Sequence, residues 1–419
     1  MKKFIPTRVL LVIGTFLLSL LLYIDRACIS AAKIPMSESL GFSDKQMGWV
    51  LSAFALGYAL FQTPSGMLAD RLGPRTILTA IVVLWSSFTA LTAATWNYAS
   101  MLVVRFMFGA SEAGAFPGIS RAVYSWYPLN ERGLVTGINF SGSRLGAAFA
   151  LPFIAWLIHA TGWRTTFVIL GIVGIGWAVF WYYWFRNTPE EHKGISAEEK
   201  TYIINNRQQP DKTEKTGMKI GTMLKSGNMW LAMLQYFASN FTFFFTLTWL
   251  FPHLQTRYSL EIIEAGFYAS APLVGGALGN WFAGWLVDVI YKKGNWKMSR
   301  RVPAISGFVL VIVGLLGSLY MSTITGAVIF LTLAIFGADM TLSPSWSFCV
   351  DIGRHNSGAV SGTMNMAGNL GAFITALAFP YLQSWTGSVA PFFYIGALLA
   401  FIAIISWGFM HPNNFIREE

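Results

Sequence analysis

Six ionisable side chains sit where the surrounding sequence is almost wholly apolar: Asp25, Arg26, Arg105, Glu112, Arg144 and Asp339. Asp25 and Arg26 are adjacent in LLYIDRACIS, behind the run VLLVIGTFLLSL. A charge at the centre of a bilayer costs roughly 2.5–3.5 kcal/mol on insertion scales, so such residues are kept where they pair, bind an ion or relay a proton. Arg105 and Glu112 are seven residues apart, close to two helical turns, which puts them on one face about 10 Å apart along the axis. Ionised carboxylates at this depth need a cation or a proton. Burial favours the neutral form and a nearby arginine the charged one. That competition lets a carboxylate exchange a proton near working pH. The alternative is a permanent ion-pair cluster fastening the first and fourth apolar segments. Arg26 offers a planar fork matched to a carboxylate at any working pH; its simpler role is to neutralise Asp25. Tyr23 stands at i−3 from Arg26, and Tyr58 lies in FALGYALFQ of the next segment. Phenol groups donate and accept, which suits polyhydroxylated ligands, although tyrosine in such a helix is often plain packing.

These residues need long apolar helices to hold them. The chain of 419 residues is 54% hydrophobic and 11% charged, where soluble proteins carry about 25% charged residues. A membrane-crossing helix needs about 20 apolar residues. Twelve such segments can be marked, at 7–31, 47–69, 76–96, 98–122, 133–159, 163–185, 228–252, 263–290, 302–322, 325–350, 358–384 and 390–410. The expected fold is therefore an all-α membrane protein of twelve transmembrane helices in two six-helix halves. The first segment lacks a small-residue cleavage site and carries Asp25-Arg26, so it reads as retained, not as a signal peptide. Residues 1–185 form the N-terminal half, 186–227 a cytoplasmic linker and 228–419 the C-terminal half. In the linker, Ser196 followed by Glu199 resembles a capping box opening a short helix.

The net charge of +10 does not point to nucleic acid. With the N-terminus inside, 22 of the 29 Lys and Arg fall on cytoplasmic segments and four on the outer side, with Arg26, Arg105 and Arg144 inside spans. This is the positive-inside pattern, and it places both termini in the cytoplasm. Cys28 and Cys349 have no metal-like spacing and read as small buried residues. The five histidines form no ligand cluster. No nucleotide loop, HExxH or G-x-S-x-G is present, so no enzyme, metal site or cofactor is expected.

The two halves repeat each other. GLVTGINFSGSRLGA (133–147) matches GAVSGTMNMAGNLGA (358–372) at Gly133, Gly137, Leu145, Gly146 and Ala147 with one fixed offset. GMLADRLGPR (66–75) is echoed by GWLVDVIYKK (284–293) at Gly66, Asp70 and Arg75 against Gly284, Asp288 and Lys293. Repeated halves with polar groups near mid-membrane mark a secondary transporter working by alternating access.

GMLADRLGPR resembles the loop motif G-x-x-x-D-R-x-G-x-R of the major facilitator superfamily. YIDRA (23–27), RFMFGASEA (105–113) and RNTPEEHKGIS after the sixth span are similar to the anion:cation symporter family. That family includes bacterial galactonate, hexuronate, glucarate and phthalate carriers, sialin and the vesicular glutamate transporters. The resemblance implies that Gly66, Asp70, Arg71, Gly73 and Arg75 form a cytoplasmic latch, with Asp70 near the N-terminus of span eleven, where the helix dipole favours a carboxylate, and Arg71 and Arg75 pairing across the loop. It implies that Asp25 and Glu112 are the protonated carboxylates, that Arg105 modulates Glu112, that Arg26 contacts the substrate carboxylate, and that Tyr23 and Tyr58 line the site.

Arg144, after Ser143 in SGSRLGA, is the departure. It adds a second cation for a dicarboxylate or bulkier acid, or it pairs with Asp339 or Glu112. The C-terminal half supplies neutral candidates: Gln235 and Asn240 in span seven, Ser343, Ser345 and Trp346 around Pro344, and Asn365 and Asn369 in span eleven. Cations and acids thus gather in the N-terminal half and hydrogen-bonding groups in the other. The expectation is a proton-driven importer of an organic anion, most simply a sugar acid of hexonate or hexuronate type, monomeric in the bacterial inner membrane, with protons, the anion and lipid as its partners. Export or antiport of aromatic acids or dicarboxylates, or a transporter-like receptor, are the alternatives. An organophosphate antiporter would be expected to carry an arginine in span seven, and a drug antiporter a Gly-Pro pair in span five; both are absent.

Overall fold

The computed structural model describes residues 5–208, 218–260 and 262–416. Lys2, Lys3, Lys212, Lys215 and Arg417, which entered the charge count, lie outside the described residues. Among the described residues there is helix and no strand. In chain order the helices are α1 (Thr7–Leu40), α2 (Asp44–Thr92), α3 (Tyr98–Glu112), α4 (Ala115–Trp126), α5 (Arg132–Thr161), α6 (Trp163–Trp184), α7 (Ala197–Asn206), α8 (Ile220–Lys225), α9 (Gly227–Thr248), α10 (Leu250–Tyr258), α11 (Ile262–Lys292), α12 (Trp296–Leu319), α13 (Ile324–Met340), α14 (Leu342–Gly353), α15 (Ser357–Thr386) and α16 (Ala390–Phe409).

The twelve expected segments are found in these rods. α2 runs through spans two and three, but Gly73 inside it has φ 77° and ψ 155°, a backbone conformation open to glycine. With Pro74 behind it, Gly73 breaks α2 into two arms. Span four is divided into α3 and α4, span seven into α9 and α10, and span ten into α13 and α14. Seven stretches are long and apolar enough to cross a membrane by length and composition among the described residues. Two of them, Trp49–Thr92 at 44 residues and Ile324–Thr386 at 63, exceed a single crossing. The expected spans missing from that set are the polar ones: α3 and α4 carry Arg105, Glu112 and Arg121, α5 carries Asn139, Ser143 and Arg144, and α9 carries Gln235, Tyr236 and Asn240.

The described chain divides into two compact units. The first comprises residues 1–128, 145–218 and 353–363; the second comprises 129–144, 219–352 and 364–419. The boundary therefore differs from a simple split at the linker. The start of α5 packs with the second unit and the start of α15 with the first. The reason is steric and electrostatic: glycines let these helix ends approach closely, and buried aspartates cap them, as set out below.

Within the first unit, α3 starts at Asn97, whose side chain accepts from the Ser100 amide, and this fixes the phase of Arg105 and Glu112. The first arm of α2 crosses α3 backbone to backbone. A Cβ added at Gly57 would lie 2.2 Å from Phe106 O, and one at Gly109 2.1 Å from Phe54 O. α7 also docks here. Ser196 caps α7 by accepting from the Glu199 amide at 3.1 Å. The Glu199 carboxylate does not complete the expected capping box; it turns instead to the first-turn amides of α1, accepting from Thr7 N at 2.9 Å and Arg8 N at 3.0 Å. A charged cap at a free helix N-terminus is the stronger bond.

Candidate functional site

The close approach of α2 and α3 brings Tyr58 and Phe54 onto Arg26 of α1. The Arg26 guanidinium carbon lies 4.4 Å from the Tyr58 ring centre, 4.9 Å from Tyr23 and 5.2 Å from Phe54. Its Nε donates to both carboxylate oxygens of Glu112, at 3.0 and 3.1 Å. Glu112 is fully buried, whereas 17% of the Arg26 side chain stays accessible. The buried Arg26 Nη2 has no hydrogen-bond partner. Arg26 is thus a caged cation with a donor to spare.

Asp25, one residue earlier, is 1% exposed. Both of its carboxylate oxygens are buried without a hydrogen bond of normal geometry; the donor beside them is the Trp85 indole N–H, itself unmet. Its charged neighbours are Glu112 and Arg105. Arg105 is 2% exposed, lies 4.6 Å from the Phe108 ring centre and 5.4 Å from that of Phe54, and its Nε finds no acceptor. An ionised group buried without partners is costly, and a proton is the smallest species that removes the charge of Asp25. The structure therefore gathers Asp25, Arg26, Arg105, Glu112, Tyr23 and Tyr58 in one unit. Phe54 and Trp85 belong to the same cluster, and nothing in their sequence context distinguished them from packing aromatics.

The loop motif forms a cap in the same unit. Asp70 accepts from Gly358 N at 2.8 Å and Ala359 N at 2.7 Å, the first turn of α15. A Cβ on Gly66 would stand 2.1 Å from Gly358 O, so glycine there permits the contact. Among the described residues, Arg71 and Arg75 do not pair with acids. Arg75 donates from its backbone to Asn187 Oδ1 and from Nε to Tyr182 O, at 2.9 and 2.8 Å. Arg71 lines a cavity of about 320 Å³ with Asp70, Gly73, Arg121, Asn187 and His355. The cation beside Asp70 is Arg121, 3.8 Å away, because α4 presents it there while the turn at Gly73 directs Arg71 and Arg75 outward. Arg121 also reaches Ser125 Oγ at 2.6 Å and the His355 ring at 3.3 Å. Burial, and then Arg121, push the His355 imidazole down to about 4.

The second unit carries the matching cap. Asp288 accepts from Gly133 N at 2.9 Å and Leu134 N at 2.8 Å, at the start of α5. Asp351 is held between Arg132 at 3.0 Å and Arg300 at 2.7 Å, with Trp296 Nε1 donating at 2.9 Å. Arg121, Arg132 and Arg300 looked like topology charges in the sequence, yet they are 7%, 0% and 0% exposed.

The neutral candidates of the second unit are knitted together. Gln235 Oε1 lies 3.0 Å from Ser345 Oγ and 3.3 Å from Trp407 Nε1. Trp346 Nε1 donates to Tyr236 Oη at 2.9 Å, and the Phe140 ring packs tilted against Trp346, with centres 5.1 Å apart. Ser343 Oγ donates to Gly133 O at 2.6 Å. Asn240 and Asn369 each donate an amide hydrogen to the carbonyl four residues back, Tyr236 O and Asn365 O. Ser143 Oγ is buried without a hydrogen-bond partner. Of the options open for Arg144, the structure takes the pair with Asp339: Nε to Oδ2 at 2.7 Å and Nη2 to Oδ1 at 2.6 Å.

Residues 15–376 match the family described as Major Facilitator Superfamily. The chain is 33% identical to a probable sulfoacetate transporter of Cupriavidus necator over 421 residues, covering 98% of this chain and 96% of that one. It is 31% identical to a probable galactarate/D-glucarate transporter of Escherichia coli over 426 residues, covering 96% and 95%. Its fold is similar to that of a proton:xylose symporter solved with 6-bromo-6-deoxy-D-glucose, with a TM-score of 0.76 at 15% identity, covering 96% of this chain and 95% of that chain.

Proposed function

Since the chain belongs to the major facilitator superfamily and is a multi-pass membrane transporter, not an enzyme, we propose that it is a proton-coupled symporter importing an organic anion of the sugar-acid class. The names of its relatives, transporters of sulfoacetate and of galactarate/D-glucarate, support the anionic substrate. The positive-inside pattern supports a cytoplasmic membrane location with both termini inside.

One observation supports the coupling: among the described residues Arg26 pairs with the acid Glu112, and the carboxylate beside it, Asp25, makes no ion pair. A substrate carboxylate and Glu112 compete for the same guanidinium. Protonation of Glu112 weakens its charge-assisted bonds and turns Arg26 over to the ligand, whose charge then replaces that of Glu112. The Arg26 Nη2 supplies the second arm of a bidentate grip, and the Tyr23, Phe54 and Tyr58 rings hold the cation in place by cation–π attraction. Asp25 accepts or releases its proton without breaking an ion pair, because among the described residues it makes none. The cycle is protonation of Asp25 and Glu112, anion capture on Arg26, a change of access, and release of the anion and both protons on the other side.

The test is uptake of a panel of radiolabelled sugar acids into proteoliposomes, with and without an inward proton gradient. The gradient should drive accumulation in the wild type. Asp25→Asn should retain exchange of internal for external acid and lose accumulation. Accumulation equal to wild type in Asp25→Asn would refute the coupling role.

A further inference from the structure

The cavity of about 320 Å³ beside Asp70 is lined wholly by residues of the first unit, and the proposed transport cycle makes no use of it. α2 supplies Asp70 and Arg71, α4 supplies Arg121 and Ser125, the segment after α6 supplies Asn187, and the turn ahead of α15 supplies His355. Small-molecule sites measure about 300–1,000 Å³ and are mostly apolar. This one has room for a small guest, and its apolar side chains are Leu72 and Pro74, so the guest it suits is hydrophilic.

The charge of the lining is unbalanced. Two guanidiniums, Arg71 and Arg121, share the cavity with one carboxylate, Asp70. That carboxylate is already committed, since each oxygen accepts a backbone N–H at the start of α15. Arg121 stands 3.8 Å from it and is steadied by Ser125 Oγ at 2.6 Å and by the ring of His355 at 3.3 Å, neither of which brings a negative charge. Arg71 is exposed and has neither an acid nor a hydrogen-bond acceptor among the described residues. Asn187 Oδ1 accepts from the Arg75 amide at 2.9 Å, which fixes the side chain and leaves its NH₂ to donate. The turn that presents His355 is strained: Arg354 has φ 47°, uncommon for a residue other than glycine, and strain of this kind gathers at binding sites.

We propose that this cavity is a binding site for a small, water-soluble oxyanion, held by Arg71 and Arg121 with the Asn187 amide as a further donor. A guanidinium fork matches the oxygens of phosphate, sulfate or a carboxylate alike, and one such ion offsets the surplus positive charge of the lining. The site is separate from the transport cluster: Arg26, Glu112, Tyr23, Tyr58 and Phe54 do not line this cavity. It therefore stands whichever acid is carried.

Calorimetric titration of the full-length protein with sodium sulfate tests this, in detergent free of phospholipid and at constant ionic strength. Sulfate is the probe because its charge does not vary near neutral pH. The wild type should bind it saturably. Arg71→Gln should weaken binding about tenfold or more, the effect of losing a charged hydrogen-bond donor, and Arg71→Glu should abolish it. Arg71 is exposed, so both variants should fold, and their thermal unfolding without sulfate is measured alongside. Arg26→Gln should bind sulfate within about threefold of the wild type, which separates this cavity from the transport cluster. No saturable binding, or equal binding by wild type and Arg71→Gln, overturns the site. Binding lost in Arg26→Gln and kept in Arg71→Gln places the ion at the transport cluster and overturns it as well. A protein whose unfolding temperature rises with phosphatidylglycerol and is indifferent to sulfate assigns the cations to a lipid headgroup, which overturns the free oxyanion.

Discussion

Replacing Asp70 by Asn should loosen the cap on α15 by an amount the geometry sets. Each carboxylate oxygen accepts one backbone N–H, at 2.8 and 2.7 Å. Asn keeps one acceptor and turns the other into an NH₂ facing an N–H, so one charge-assisted bond is lost and the other is weakened. Hydrogen bonds to charged groups contribute roughly 1.5–3 kcal/mol, and a charge at the first turn of a helix adds about 0.3–1 kcal/mol. A net loss of about 2–3 kcal/mol corresponds to a roughly 30- to 150-fold shift toward the open cap, at about 1.4 kcal/mol per factor of ten. Thr363 reports on that opening. It is 1% exposed and its hydroxyl sits 3.2 Å from that of Thr63. A cysteine at 363 is therefore shielded while the cap is closed. When opening is fast compared with alkylation, the labelling rate of Thr363→Cys follows the open population. The native Cys28 and Cys349 are both 0% exposed, and protein without the added cysteine is the blank. Asp70→Asn should raise the labelling rate by the factor above. Equal rates with and without the substitution would show that Asp70 does not hold the cap closed.

Three other outcomes follow from particular contacts. Gly109→Ala places a methyl 2.1 Å from Phe54 O and should cost about 1–3 kcal/mol by overpacking, read as a lower unfolding temperature in detergent. Asp351→Ala strands Arg132 and Arg300, both fully buried, and should cost about 3–5 kcal/mol, seen as loss of monodisperse protein, with Asp351→Asn milder. His355, held at about 4 by burial and Arg121, is neutral in the folded protein where an unfolded histidine would charge. Its contribution to stability is present above pH 6.5 and is lost as pH falls toward 4; His355→Gln should flatten the pH dependence of the unfolding temperature in that window.

The fold was legible because lipid imposes a coarse rule. Apolar segments of sufficient length, a charge bias between loops and a repeat visible at Gly133–Ala147 and Gly358–Ala372 require only composition and spacing to read. The cluster at Asp25, Arg26, Arg105 and Glu112 stood out for the same reason, since charge inside an apolar run has few explanations. What the sequence did not disclose was partner choice. Arg71 and Arg121 are both basic residues near the ends of apolar segments, and nothing local says that α4 delivers the second of them to Asp70. The exchange of helix starts between units depends on contacts nearly 290 residues apart, Asp70 with Gly358 and Ala359. Trp85, Phe54 and Phe243 were hidden in a chain with 17 Trp and 34 Phe, where an aromatic residue carries no signal until its neighbours are known. For Arg144 three roles stood open, and only distance chose Asp339.

Proton movement driven by substrate tests the account most directly. Proteoliposomes loaded with a pH dye, at equal pH inside and out, receive an external sugar acid that the wild type accumulates. The account predicts that the lumen acidifies as the acid enters, and that Asp25→Asn continues to exchange acid with no change in lumenal pH. Entry of the acid into wild-type vesicles with no change in lumenal pH would contradict it.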